Sequence, residues 1–192
     1  MQESIQSLRR AVELREVILA SNPSAYEKNA MAEALDFLGR RLQATGDMNG
    51  AVVHFERSLK LVQDALAQLP TSNKYRLQNM RSAEAFLPFS AERWGRTRAV
   101  AFAEELIPRA TGYKDNLNQR RALPLLLGAY GDMWQQQGDH AAACLWYRES
   151  DAVWKRLGSD ASTRPGTNAA VEGPGWLPRE FAALQVKLSR CP

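Results

Sequence analysis

The sequence predicts an all-α fold in which pairs of helices stack into a solenoid. Apolar residues recur at the three- and four-residue spacing of a helix face along most of the chain, and no segment alternates with the period of two that marks a strand. The chain of 192 residues is 45% hydrophobic and 24% charged, which are ordinary globular proportions. No apolar run approaches the roughly 18 residues that a membrane-spanning helix needs.

Eight helices are predicted, each bounded by residues that interrupt the helical period. Proline ends a helix because it lacks a backbone donor, and glycine favours a turn because it tolerates positive φ. We therefore expect Pro88 to kink or end the fourth helix. The predicted helices cover residues 1–21, 26–44, 49–69, 75–89, 91–110, 116–137, 140–157 and 178–189.

Two stretches of the chain repeat one another. Residues 35–58 and 127–150 carry the same residue types at the same spacings. Their turn glycines, Gly46 and Gly138, lie 92 residues apart, which corresponds to two units of about 46 residues each. Gly95 lies between them and indicates a third, degenerate unit.

The repeated residues have a packing explanation. Gly39 and Gly131 allow the second helix of each pair to approach closely, since a side chain at these positions would push it away. Phe55 and Tyr147 are expected to fill the gap between one helix pair and the next. Small and large residues at fixed positions therefore predict helix pairs that cross at close range.

Segments 32–65 and 124–157 resemble tetratricopeptide repeats in this pattern of a bulky residue, a glycine, a turn glycine, a small alanine and an aromatic residue. The middle unit departs from the pattern, with Pro88 in the place of Gly39. The resemblance implies a single domain over residues 1–192 that forms a right-handed α-α superhelix. Its predicted parts are an N-terminal orphan helix (1–21), a first repeat (22–69), a degenerate second repeat (70–112), a third repeat (113–158), a loop (159–175) and a capping helix (176–192).

The resemblance also implies a function as a non-catalytic scaffold for protein–protein interaction. The first helices of the pairs would line a concave face that binds a peptide or a partner domain. The long units, with Asn-Pro or Pro-Thr-Ser-Asn junctions followed by tyrosine, resemble the repeat regions appended to bacterial serine/threonine kinases, which implies a bacterial signalling protein. The residues predicted to line the concave face are Asp36, Arg40, Gln43, Phe89, Glu92, Arg93, Asp132, Gln135 and Gln136.

Residues that carry enzyme chemistry are few and scattered. The sequence has no nucleophile elbow and no phosphate-binding glycine loop. His140 and Cys144 are one possible metal-binding pair, but two ligands are too few for a structural zinc site. We therefore predict a protein that is not an enzyme and that requires no cofactor and no metal.

The expected cellular compartment follows from the two cysteines and from the charges near the N-terminus. Cys144 is predicted to be a buried, unreactive thiol and Cys191 an exposed one, with no disulfide framework. Charged residues interrupt residues 1–20, where a secretory signal needs an apolar core. The expected setting is the reducing cytoplasm, with no membrane partner.

An RNA- or anion-binding module is one alternative function. Residues 74–121 contain ten basic and five acidic residues, an excess that suits a polyanionic partner. The excess is modest beside that of nucleic-acid-binding proteins, so a solvated helix face is the favoured interpretation and nucleic acid is not the expected partner.

A homo-oligomer is the other alternative. The first helix has no partner helix within its own unit, so its apolar face is expected to be partly uncovered. Ile5, Leu8, Val12 and Ile18 would then allow copies of the chain to stack end to end.

Overall fold

The computed structural model describes residues 2–112, 120–162 and 179–192. All regular secondary structure in these ranges is helical, which confirms the predicted all-α class. The helices are α1 (Gln2–Ser21), α2 (Ala25–Ala44), α3 (Met48–Gln68), α4 (Asn73–Trp94), α5 (Arg96–Thr111), α6 (Ala122–Gln136), α7 (His140–Ser162) and α8 (Arg179–Leu188). Among them, none is long and apolar enough to cross a membrane.

Helices that are neighbours in sequence pack against each other. Helix α1 packs on α2, and α2 forms an antiparallel hairpin with α3. Helix α5 contacts α6, α6 forms a second hairpin with α7, and α7 contacts α8. The two hairpins are the segments whose sequences repeat.

The chain forms two compact units, Met1–Phe86 (unit 1) and Leu87–Pro192 (unit 2). The division falls inside α4, close to Pro88. The predicted helix end at residue 89 is wrong, because α4 continues through the proline to Trp94. A single residue, Gly95, then separates α4 from α5 with a φ of 84°, a conformation that costs glycine little.

The core of unit 1 lies between the α2/α3 hairpin and the first part of α4. Ser58 of α3 donates a hydrogen bond to the Ala32 carbonyl of α2 (2.7 Å), and its oxygen lies 2.8 Å from the Ser82 hydroxyl of α4. All three helices are therefore joined through the buried hydroxyl of Ser58. The largest fully buried side chains here are Phe55, Phe86, Met31, Leu35, Leu38, Leu59 and Val62.

The core of unit 2 continues from the end of α4 to α8. Tyr130 and Met133 of α6 are buried with apolar residues of α4 and α5. Trp154 of α7 is 1% exposed and makes an edge contact with Phe181 of α8, with ring centroids 6.3 Å apart. Leu184 of α8 is also buried, so α8 packs on α7 through an apolar face that contains Phe181 and Leu184.

The two hairpins repeat the same backbone contacts. Ser150 donates to the Pro124 carbonyl over 2.7 Å, just as Ser58 donates to Ala32. The aspartates after the turn glycines, Asp47 and Asp139, each accept from a backbone N–H three residues later. The sequence repeat is therefore a structural repeat at the level of these contacts.

The second helix of the α6/α7 hairpin is longer than predicted. Helix α7 extends to Ser162, so residues 159–162 of the predicted loop are helical. Residues 163–175 of that loop, and residues 113–119 at the start of the predicted third repeat, lie outside the described residues.

Candidate functional site

The nine residues predicted for the concave face have very different environments. Phe89, expected to be exposed to a partner, is only 7% exposed. Because α4 continues through the proline, Phe89 lies on the same buried helix face as Ala85 and Phe86. The predicted face residues that are exposed are Gln43, Glu92, Arg93, Gln135 and Gln136.

In unit 1, Arg40 is occupied by contacts within the protein. Its Nε donates to Asp36 Oδ2 over 3.1 Å, and its Nη2 donates to Glu84 Oε2 over 2.7 Å. Burial alone would lower the pKa of the guanidinium, but the carboxylates of Glu84 and Asp36 outweigh burial and raise it. Arg40 therefore joins α2 to α4. This contact could not be predicted from the sequence, because Glu84 is 44 residues away along the chain.

Asp36 is the most buried charged residue of the predicted face, at 6% exposure. Its Oδ2 accepts from Arg40, whereas Oδ1 accepts no hydrogen bond from a described residue. Burial raises the pKa of this carboxyl, and the Arg40 charge only partly opposes the effect. Asp36 thus holds the Arg40 guanidinium in place for its ion pair with Glu84. Because it is buried, Asp36 offers little surface to a partner.

In unit 2, two of the predicted face residues line a cavity of about 500 Å³. One wall belongs to the α6/α7 hairpin, and the other belongs to the end of α8 and the residues that follow it. Asp132 and Gln135 are the predicted residues, whereas Lys187 and Arg190 were not singled out because nothing in the helical period relates them to α6. The lining consists of Asp132, Gln135, His140, Cys144, Tyr147, Lys187, Arg190, Cys191 and Pro192.

Asp132 organises one side of the cavity. Lys187 Nζ lies 2.6 and 2.7 Å from its two carboxylate oxygens, and the Tyr147 hydroxyl donates to Oδ1 over 2.8 Å. Burial, and next the Asp132 charge, raise the pKa of Tyr147, so its phenol stays protonated and remains a donor. The Asp132 carboxylate is therefore neutralised by its own neighbours.

A second polar pair lines the same cavity. His140 Nδ1 lies 3.0 Å from Gln135 Oε1. The amide oxygen can only accept, so in this arrangement the histidine Nδ1–H donates. The Gln135 amide nitrogen is left as an additional donor.

A disulfide joins the two walls. Cys144 of α7 and Cys191 are bonded, with their Cα atoms 5.6 Å apart. The prediction of two free thiols is therefore wrong, although Cys144 is buried as expected. Their separation of 47 positions in the sequence gave no sign of proximity, which arises because α8 folds back along α7.

Unit 2 contains a second, more apolar cavity of about 380 Å³. Its lining includes Ile107 of α5, Leu123 of α6 and Trp146 of α7, with Leu145 more than half exposed beside them. Such a groove lacks the donors and acceptors that orient a ligand, apart from Thr111, Glu149 and Arg156 at its edge.

In the described part of the chain, no group of three or more His, Cys, Asp or Glu side chains is arranged to hold a metal ion. His54 lies on α3 in unit 1, where burial, followed by the charges of Arg57 and Arg9, lowers its pKa.

Comparisons of the chain with protein-family models, with curated proteins and with solved structures gave no match.

Proposed function

We propose that this protein is a non-catalytic interaction module that binds a peptide or a partner domain through exposed polar residues of the first hairpin helices, α2 in unit 1 and α6 in unit 2. The finer fold proposal is that the helix pairs stack as tetratricopeptide repeats do, in a right-handed superhelix. The matching contacts of the two hairpins, from the serine bonds to the aspartate caps, support this proposal. A bacterial signalling role is part of the same proposal and rests on the sequence resemblance.

The observation that carries the proposal is the polar cavity beside α6. It is bounded by Asp132 and Gln135, which the repeat register assigns to the inner face. A cavity of about 500 Å³ lies in the size range of about 300–1,000 Å³ that is typical of ligand sites. Its polar groups have the donors and acceptors that fix the orientation of a bound group.

The test is a peptide selection against the purified chain. Peptides enriched from a displayed library would be titrated by calorimetry against the parent chain and against two variants, each of which replaces three glutamines by alanine. Q43A/Q135A/Q136A removes the exposed glutamines of the proposed face, and we expect it to bind at least about tenfold more weakly. Q6A/Q63A/Q68A removes exposed glutamines of α1 and α3 and should bind like the parent chain.

Two outcomes would contradict the proposal. One is a selection that enriches no peptide at all. The other is equal binding by both triple variants, which would mean that the face is elsewhere.

RNA binding through residues 74–121 is the weaker alternative. Several of the basic side chains are already paired or stacked: Arg109 lies 2.6 Å from Glu105, and Arg96 lies over the Trp134 ring at 4.4 Å. A salt titration with single-stranded RNA separates the alternatives, because affinity for a polyanion falls steeply with salt.

The Cys144–Cys191 disulfide bears on the cellular compartment in which the protein works. The expectation of a reducing cytoplasm relied on unpaired cysteines and on the charged residues within residues 1–20, and the Cys144–Cys191 disulfide removes the first of these two arguments. Structural disulfides persist in oxidising compartments, so we propose that the protein works in such a setting. Acid trapping and thiol alkylation of the cellular protein would test this; two alkylated cysteines would contradict it.

A further inference from the structure

We propose that the unit 2 cavity binds the carboxylate side chain of an acidic residue in the partner peptide, with Arg190 as the cation that recognises it. The inference rests on the proposed function, because it names the chemistry of that partner. It comes from the charges and donors that line the cavity.

The charges of the cavity do not balance. Lys187 is used by Asp132, which it contacts at 2.6 and 2.7 Å. Arg190 forms no ion pair with any described residue. Among the described residues that line the cavity, the side chains of Asp132, Lys187 and Arg190 therefore leave one guanidinium without a carboxylate partner.

The hydrogen-bonding groups point to the same class of ligand. The Asp132 oxygens accept from Lys187 and Tyr147, and Gln135 Oε1 accepts from His140. The donors that remain are the Gln135 amide nitrogen and the Arg190 guanidinium. A ligand group that only accepts hydrogen bonds, such as a carboxylate, complements them.

The disulfide explains why an exposed arginine is held at this place. Arg190 directly precedes Cys191, whose bond to Cys144 attaches this segment to α7. Arg148 of α7 also donates to the carbonyl oxygen of Pro192. The residues on both sides of the guanidinium are therefore fixed before a ligand arrives, which lowers the entropic cost of binding.

A single carboxylate suits the cavity better than a polyanion. One guanidinium forms a two-pronged contact with one carboxylate. The Asp132 carboxylate on the facing wall opposes additional negative charge. An acidic side chain in an otherwise neutral stretch of peptide is the occupant that satisfies both conditions.

The test uses the full oxidised chain and a blocked twelve-residue peptide of glycine and serine with a single glutamate at its centre, titrated by calorimetry. The comparison peptide has glutamine in place of that glutamate. We expect binding of the acidic peptide only, and a loss of about tenfold or more in R190Q. R109Q, which removes an exposed arginine of α5 with the same change in net charge, should lose less than about twofold.

Further arms identify the source of the carboxylate and protect against misfolding. R190K keeps the positive charge but cannot form the two-pronged contact of a guanidinium, so it should bind more tightly than R190Q and more weakly than the parent chain. Circular dichroism checks that each variant is folded. Equal losses in R190Q and R109Q would overturn the inference in favour of diffuse attraction. Tighter binding of free glutarate, of a neutral peptide with a free C-terminus or of single-stranded RNA would overturn it in favour of another ligand.

The result also separates this inference from the proposed function. If the acidic peptide fails while peptides from the selection still depend on Gln43, Gln135 and Gln136, only the carboxylate site is wrong. If the selection fails as well, the interaction face itself is wrong.

Discussion

Two glycines set how closely the helices of each hairpin cross. A Cβ added to Gly39 would lie 2.6 Å from Phe55 Cε1, and one added to Gly131 would lie 2.5 Å from Tyr147 Cε1. Both distances are too short for carbon atoms, and the aromatic rings are buried. The aromatic residue and the glycine therefore act as one packing unit.

Alanine at Gly131 should destabilise unit 2 by about 1–3 kcal/mol, because the ring of Tyr147 must move within a packed core. Gly128, one turn earlier in α6, is the matched control, since a Cβ there would meet Ser150 Oγ at an ordinary 3.7 Å. G128A should be neutral or stabilising by up to about 1 kcal/mol. All five tryptophans follow residue 86, so guanidinium unfolding monitored by their fluorescence reports unit 2. Equal destabilisation by both alanines would contradict the explanation.

Asp36 should make unit 1 less stable as the pH rises. Burial raises its pKa in the folded chain above the ordinary value of 3.8, so the folded state binds this proton more tightly than the unfolded state does. Stability is then lost as the pH rises from about 3.8 through the raised folded pKa.

D36N should remove this part of the pH dependence, since an amide does not titrate. Urea unfolding followed by circular dichroism between about pH 4 and pH 7 measures the effect. The difference between D36N and the parent chain should grow with pH and then level off. D64N, on the exposed side of α3, is the control; a parent-like slope in D36N would show that Asp36 does not titrate as described.

At the scale of the helices, the sequence predicts those structural features whose causes lie within a short segment of the chain. The α2/α3 and α6/α7 hairpins were predictable, because their turns, small residues and apolar period lie within each segment. The end of α4 was not, since tertiary packing carried the helix past Pro88. The use of Arg40 by Glu84 and the approach of Cys191 to Cys144 depend on partners more than 40 residues away, which no local pattern reveals.

The disulfide should hold α8 on α7. Closing a loop across 47 residues restricts the unfolded chain, and such bonds contribute about 2–4 kcal/mol. The double variant C144S/C191S should lose about that much stability in unit 2, with faster amide hydrogen exchange in α8. Helix α2 in unit 1 serves as the internal control. Unchanged exchange in α8 would mean that its apolar contacts suffice without the disulfide.

At the scale of the whole molecule, the exposed apolar surface of α1 bears on self-association. Val12 is buried, whereas Leu14, Val17 and Ile18 are 52%, 71% and 41% exposed. Of the four residues expected to be partly uncovered, Ile18 is exposed, Ile5 and Leu8 are half-buried and Val12 is buried. The exposed side chains of Leu14, Val17 and Ile18 cover far less than the roughly 800 Å² per partner of a stable interface.

We therefore expect a monomer at concentrations of about 100 μM, a range in which weak dimers are detected. Size-exclusion chromatography with light scattering measures the mass directly, against 21.5 kDa for one chain. A dimer that V17E converts to a monomer would establish the homo-oligomer alternative instead.

The proposed binding of partners by exposed polar residues of the first hairpin helices is tested most directly by an amide NMR spectrum of the chain with and without a peptide from the selection. We predict that the side-chain amides of Gln43, Gln135 and Gln136 shift on binding. Shifts confined to Leu14, Val17 and Ile18 of α1, or to the basic residues of α5, would contradict the account.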